Sequence, residues 1–330
     1  RAIARIRDMG FRRDPQPPTP IVIPSVSSSM TSISVIFLSI TTSTLEQPTL
    51  CNDLRYSSSV NISMNKSEIL DFSGKTVIVT GGTRGLGRVI SEYFLHAGAN
   101  VVTCARNAPE KPIVSELTNK EAIFFETDVR DPEKVESFIA DVVQLFGRID
   151  VLVNNAGGAP SVKSSDASPR FNEKVVSLNL LASMHCSQSV FPVMAEQEDN
   201  GVIINISSVS GSRPNPSGMA YGAAKAGLDN LSKTLAHEWS PKIRVLTLAV
   251  GLIETDESSD FYGDDEKRSR LAEHLAMKRL GKPEEIADMC MVLASPLARW
   301  MTGTTVEVHG GGEGPFYLKE ISDIGTEENT

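Results

Sequence analysis

The sequence predicts an α/β protein: a doubly wound parallel sheet in a single domain. Three observations carry this. Between residues 72 and 309, short apolar runs rich in β-branched side chains alternate with amphipathic helical segments, the pattern of a sheet covered on both faces. The first run, Val77, Ile78 and Val79, breaks into glycines that lead directly into a helical stretch, and strand–glycine turn–helix is the context in which a glycine motif gains meaning. No repeat of solenoid period and no second domain interrupts the alternation.

The glycines follow Thr80 as Gly-x-x-x-Gly-x-Gly. Gly81 permits a tight turn, Gly85 lets backbone approach a pyrophosphate, and Gly87 lets the helix pack close to the sheet. The free N–H groups and positive dipole of that helix would face the phosphates. The helix spans 89–97 and stops at Gly98, and strands follow at 100–104 and 122–127. Asp131 reads as an N-cap with Pro132 at the first helical position. Val135, Phe138, Ile139, Val142, Val143 and Phe146 then repeat at helical spacing, and Gly147 closes the helix. Further strands are expected at 150–154, 201–206, 243–249 and 304–308, and helices at 172–194, 218–238, 265–276 and 283–293.

A net charge of −9 argues against a nucleic-acid surface, and the best apolar run, 33–40, is far shorter than the ~20 residues that span a membrane. Cys51, Cys104, Cys186 and Cys290 are scattered, with no metal-binding spacing. That usage suggests a reducing compartment, and a cytoplasmic location is expected. Residues 1–63 differ: six Arg, no Lys and four acids give them +2 against −11 for the rest. They are dense in Pro, Ser and Thr and show no period. We read them as a disordered or non-native extension, with an Arg/Ser-rich organelle transit segment as the alternative. The domain proper is expected over 64–315, with a tail at 316–330.

Several residues point to chemistry. Enzymes that bind NAD place an acid at the end of the second strand for the ribose 2′-OH. Here that strand ends Thr103-Cys104-Ala105-Arg106, with no acid. Arg84 lies in the glycine loop, and two guanidiniums near one ribose suit a 2′-phosphate. The expected cofactor is therefore NADP(H) rather than NAD(H). Asp128, followed by Val129, comes just after the third strand, where its carboxylate could accept from an adenine amino group or simply cap a helix. Asn154, Asn155, Ala156 and Gly157 follow the fourth strand; their small size lets backbone run close to a cofactor, and the amides could tie neighbouring strands.

Tyr221 and Lys225 lie four apart on a predicted helix and share a face. A free Tyr titrates near ~10, and a nearby ammonium should lower that value. Ser208 lies just after the fifth strand, where its hydroxyl could hold a carbonyl oxygen.

With these residues in place, the chain resembles the short-chain dehydrogenase/reductase family over 72–312, about three quarters of its length. The resemblance rests on the glycine motif, Asp128, the Asn154–Gly157 run, Asn179, Ser208, Tyr221-x-x-x-Lys225, the Thr302-Gly303-Thr304 turn and His309-Gly-Gly-Gly. It implies a Rossmann-type sheet with the nucleotide across its C-terminal edge and a Ser208–Tyr221–Lys225–Asn179 site. Asn179 would support a water in a proton relay. Gly81, Thr83, Arg84, Gly85 and Leu86 would contact the nucleotide from the first loop. Arg106, Asp128, Val129, Asn155, Ala156 and Gly157 would do so from the next strands, and Tyr221, Lys225, Gly251, Ile253 and Thr255 from the nicotinamide end. Where the family usually has Pro-Gly, this chain has Val250-Gly251, which frees one φ and adds an N–H.

The implied activity is NADPH-dependent reduction of a carbonyl in a small molecule, a 3-oxoacyl thioester or another ketone, by a homotetramer or homodimer. A non-catalytic nucleotide-binding regulatory protein is the alternative. Residues 175–212 contain no Lys or Arg, and the helix before residue 200 ends Glu196-Gln197-Glu198-Asp199. Acidity near the substrate entrance would disfavour an acidic carrier-borne substrate.

Overall fold

The computed structural model describes residues 70–256 and 262–314; the expectations for 1–63 and 316–330 lie outside them. β1 (Thr76–Thr80), β2 (Asn100–Ala105), β5 (Ile123–Glu126), β6 (Val151–Asn154), β7 (Gly201–Ser208), β8 (Ile243–Val250) and β9 (Thr305–Val308) form one sheet in the order β5-β2-β1-β6-β7-β8-β9. Every pairing in it is parallel. The chain runs outward from β1 through β2 to β5, then returns to β6 on the other side. The order thus reverses between β1 and β6, where doubly wound sheets open a crevice.

The strands sort their side chains by alternation. Val77, Val79, Val151 and Val153 face one buried cluster, which Ile90, Phe94, Ile286 and Cys290 complete from helices α1 (Gly85–His96) and α7 (Pro283–Ala294). Ile78 and Leu152 face the opposite cluster, with Val135, Phe138, Val190, Met194 and Leu235. These come from α2 (Pro132–Phe146), α4 (Ala182–Glu196) and α5 (Met219–Trp239). Phe94 is fully buried and meets Phe72 edge-on at 5.0 Å between ring centroids; removing such a ring costs about 3–5 kcal/mol.

Local signals act as expected at α2. Asp131 accepts from the N–H groups of Glu133 and Lys134, Pro132 opens the helix, and Gly147 ends it at φ 69°. The Thr302–Thr304 turn is likewise built as read: Gly303 adopts φ 65° and donates to the Val245 carbonyl, and Thr302 Oγ1 accepts from Val245 N–H. α6 (Asp265–His274) is shorter than expected.

Two segments differ in kind from the sequence reading. The crossover from β2 to β5 carries a small antiparallel hairpin, β3 (Val114–Ser115) with β4 (Lys120–Glu121). Pro109 and Pro112 oppose a helix there, and Asn119 takes the left-handed turn position at φ 56°. The expected helix at 172–194 is three pieces: α3 (Pro169–Val176), a π-helical turn over Ser177–Leu181, and α4. In the π turn the Ala182 N–H reaches back five residues, to the Ser177 carbonyl. Such widened turns concentrate at functional sites, and this one carries Asn179.

No helix of the described residues is long and apolar enough to cross a membrane. Cys104, Cys186 and Cys290 are free and buried. Burial pushes their thiols up, Cys186 to about 12, so none is a thiolate at neutral pH.

Candidate active site

The first loop is shaped by its glycines. Gly81 and Gly85 hold φ 64° and 49°, which a side chain rarely adopts. Open space surrounds the position of a β-carbon on Gly85, whereas one on Gly87 would come within 2.3 Å of the Gly81 carbonyl oxygen. Gly87 is therefore a point of close approach between α1 and the sheet. Arg84 is the N-cap residue of α1 and makes no side-chain capping bond. The arrangement fits a phosphate: beside the open space at Gly85, the loop leads into a helix N-terminus without a side-chain cap.

The second wall is the loop after β6. Thr80 Oγ1 accepts from the N–H groups of Asn155 and Ala156, both at 3.0 Å. Asn155 Nδ2 returns bonds to the Thr80 and Gly81 carbonyls at 2.9 and 3.2 Å. Asn154 Nδ2 donates to Asn205 Oδ1 on β7 at 2.8 Å. The amides do tie neighbouring strands. The tie continues inward: Asn205 Nδ2 donates to Ser232 Oγ, which also accepts from Thr247 Oγ1 at 2.7 Å. This buried polar chain, and Thr80 as the loop's anchor, had no motif to announce them.

Where β2 and the first loop end, Arg106 and Arg84 are both exposed. Asp128 is bound by Arg130, through Nε at 2.9 Å and Nη2 at 2.5 Å, and by the Arg130 N–H at 3.1 Å. The Arg130 bonds hold the carboxyl below its ordinary range, and the Arg106 charge adds to this. Arg130 escaped the sequence reading; its position two residues beyond Asp128 was the available signal.

At the chemical end, four elements converge. Ser208 closes β7 and accepts from Ser210 N–H at 3.1 Å, capping a short 3₁₀ turn over Val209–Gly211. Tyr221 lies in the first turns of α5, its hydroxyl within reach of Ser208. Lys225, one turn on, is buried and donates from Nζ to the Ile206 carbonyl at 2.7 Å. Its Nζ lies 5.7 Å from the Tyr221 ring centroid. Asn179, fully buried, donates from Nδ2 to the carbonyls of Gly158 and Val175 and accepts Gly158 N–H at 2.8 Å. The Asn179 side chain thus reaches back to a carbonyl one turn earlier on its own helix. A β-carbon on Gly157 would sit 2.9 Å from Asn179 Oδ1 and 3.3 Å from Lys225 Nζ, so Gly157 is the point where the two meet.

One sequence expectation changes here. Lys225 was expected to lower the Tyr221 pKa. Instead burial raises the phenol above its ordinary value, opposed by the Ser208 bond, and Lys225 is not among the causes. Burial acts on the lysine too and lowers it to about 8. The Asn179 side chain is committed to the Gly158 and Val175 backbone, so it clamps the loop.

At the end of β8, Val250 continues the ladder, paired with Ser208 and with Val308. Gly251 N–H donates to the Val308 carbonyl at 3.1 Å, and a β-carbon on Gly251 would meet His309 Cα at 2.7 Å. The strand therefore fixes the backbone that a proline would have fixed. Ile253 pairs with Gly281, flanked by bonds of 2.9 Å from Gly281 N–H to the Leu252 carbonyl and 2.8 Å from Glu254 N–H to the Gly281 carbonyl.

Residues 81–313 match the family described as enoyl-(acyl carrier protein) reductase. The chain is 34% identical over 246 residues to the 3-oxoacyl-[acyl-carrier-protein] reductase FabG of Staphylococcus epidermidis, covering 72% of this chain and 98% of that protein. Among solved structures, a 7α-hydroxysteroid dehydrogenase complexed with NADH and 7-oxo glycochenodeoxycholic acid aligns with TM-score 0.70 at 30% identity, over 76% of this chain and 99% of that one. The Pseudomonas aeruginosa RhlG/NADP active-site complex aligns with TM-score 0.66 at 28% identity, over 74% and 98%. Matched over this length by the family model, the curated relative and the solved structures, the chain belongs to the short-chain dehydrogenase/reductase family of oxidoreductases.

Proposed function

We propose that this protein is an NADPH-dependent carbonyl reductase that converts a ketone, a 3-oxoacyl thioester or a related small molecule, to a secondary alcohol. The observation that carries the reading is the convergence of Ser208, Tyr221 and buried Lys225 on the carboxyl edge of the sheet, beside the Gly157 backbone.

When bound, the reduced dinucleotide supplies the hydride. Gly81, Thr83, Arg84, Gly85 and Leu86 would hold its phosphates, with Arg84 and Arg106 on the 2′-phosphate. Asp128 and Val129 would flank the adenine. Asn155, Ala156 and Gly157 would line the path to the nicotinamide end, where Gly251, Ile253 and Thr255 lie. The protein's part in the chemistry is proton and charge. Ser208 Oγ donates to the substrate carbonyl oxygen and stabilises it as charge develops. Tyr221 Oη gives that oxygen its proton. A phenol raised by burial is protonated at neutral pH, the state a general acid needs. The Lys225 ammonium, near the Tyr221 ring, offsets the negative charge left on the phenol and would bind the nicotinamide ribose.

The relatives named above carry NADH in one case and NADP in another, so preference must come from this chain's own β2 terminus. Arg106 in place of an acid supports NADPH. The test is a panel of 3-oxoacyl-CoA thioesters, ketosteroids and small ketones with NADPH and with NADH. Turnover with NADPH and at least one carbonyl is expected. Tight NADPH binding without turnover of any of them would favour the regulatory alternative.

A further inference from the structure

The chemistry proposed above leaves one neighbouring carboxylate unused. Asp229 lies four residues beyond Lys225 and eight beyond Tyr221, so the three share a stripe of α5. Its Oδ1 is shut off from solvent and has no hydrogen-bond partner. Its Oδ2 faces the turn that Ser208 caps: a β-carbon on Gly211 would come within 3.1 Å of it. Ser207, next to Ser208, donates to the Lys225 carbonyl at 3.4 Å and reaches the Asp229 carboxylate as well. Gly222 lets α5 close on the same turn, since a β-carbon there would lie 2.9 Å from the Ser210 carbonyl oxygen.

A carboxylate oxygen without a hydrogen bond is costly away from water, and a buried ammonium is costly without a counter-charge. Here the two lie one turn apart on the same face of α5. The groups that face Asp229 are Ser207 on β7 and Lys225 and Lys233 on α5. Those around the Lys225 ammonium are the Ile206 carbonyl on β7, Asn179 across Gly157, and Tyr221 and Asp229 on α5.

We infer that Asp229 is a positioning residue for the Ser208–Tyr221–Lys225 site: it is the counter-charge that keeps Lys225 protonated and the carboxylate that seats the Ser208 turn on α5. This rests on the reductase reading given above.

The experiment is the pH dependence of kcat/KM, and of the NADPH Kd, for wild type, Asp229→Asn and Asp229→Glu. Wild type should lose activity as pH rises through about 8, where Lys225 loses its charge. Asn keeps the shape and removes the charge. Lys225 should then titrate lower, and the alkaline limb of both profiles should move down by about 0.5–1 pH unit, while Glu should restore it. A purely structural role would lower amplitude and leave the limb in place. Superimposable wild-type and Asn profiles overturn the inference. If Asn does not fold, Asp229→Ser, which leaves room for water, reads the same limb; failure of both to fold shows that Asp229 serves the fold alone and also overturns it. A wild type that binds no NADPH or turns over no carbonyl defeats the reductase reading instead.

Discussion

The two ends of the site are built on opposite principles. At the end beside β2 the polar side chains are accessible: Arg84 and Arg106 are exposed, and the Asp128–Arg130 pair is about three-tenths exposed. At the chemical end the polar groups are locked. Lys225 and Asn179 are buried, their side chains bonded to fixed carbonyls at 2.7 to 3.0 Å. Exposed charge is exchangeable and worth little until a ligand desolvates it. A buried polar group hydrogen-bonded to fixed backbone is held in one geometry and is costly to disturb. Cofactor choice should therefore be easy to re-engineer, and the proton-transfer geometry should not.

The largest expected effect tests the locked end. Tyr221→Phe removes the proposed acid and keeps the ring, so turnover should fall by roughly 10²–10⁴-fold while NADPH Kd holds within a few-fold. Near-normal turnover would mean that another group supplies the proton. Next is the hinge between the two ends. Gly87→Ala places a β-carbon 2.3 Å from the Gly81 carbonyl oxygen and 2.4 Å from Asn155 Nδ2. The φ/ψ of this position is not the obstacle, so the cost is steric, about 1–3 kcal/mol. It should lower Tm and weaken NADPH together. An unchanged Tm would show that the loop yields freely.

A smaller effect is expected at the exchangeable end. Arg106→Asp should reverse the preference from NADPH to NADH, because a carboxylate accepts from a 2′-OH and repels a 2′-phosphate. Stability should stay within about 0.5 kcal/mol, as for other exposed positions. Equal wild-type affinity for both cofactors would remove the basis of the comparison. Least of all should change on starting the chain at Met64. We expect such a protein to fold and turn over substrate like the full chain, and loss of soluble protein would contradict that.

The same contrast explains what could be read from the residues. The alternation of strands and helices and the α2 caps were legible because each depends on local periodicity or on a single cap such as Asp131 or Gly147. The spacing of Ser208, Tyr221 and Lys225 was legible because one strand end and one helix turn set it. The sign of the Tyr221 shift was not, because it depends on how much protein covers the phenol. The π turn at Asn179 was not legible either: an apolar helical stretch does not reveal where its backbone will widen by one residue. The acidic end of α4 misled for a topological reason. Asp199 pairs with Lys75 and Arg148, which precede β1 and β6, so it sits at the amino edge of the sheet. Ser208 lies at the carboxyl edge. That acidity bears on the ion-pair network under the sheet, and not on the substrate entrance.

The central claim is that the proton and the hydride are delivered at one place, beside Tyr221. The most direct measurement is a single turnover of a 3-oxoacyl-CoA with NADPH deuterated at the transferable C4 position, comparing wild type with Tyr221→Phe at matched cofactor saturation. The account predicts deuterium on the carbinol carbon of the wild-type product, a single product stereoisomer, and a transfer rate reduced by roughly 10²–10⁴-fold in the variant. Deuterium transfer at the same rate in both proteins would contradict it.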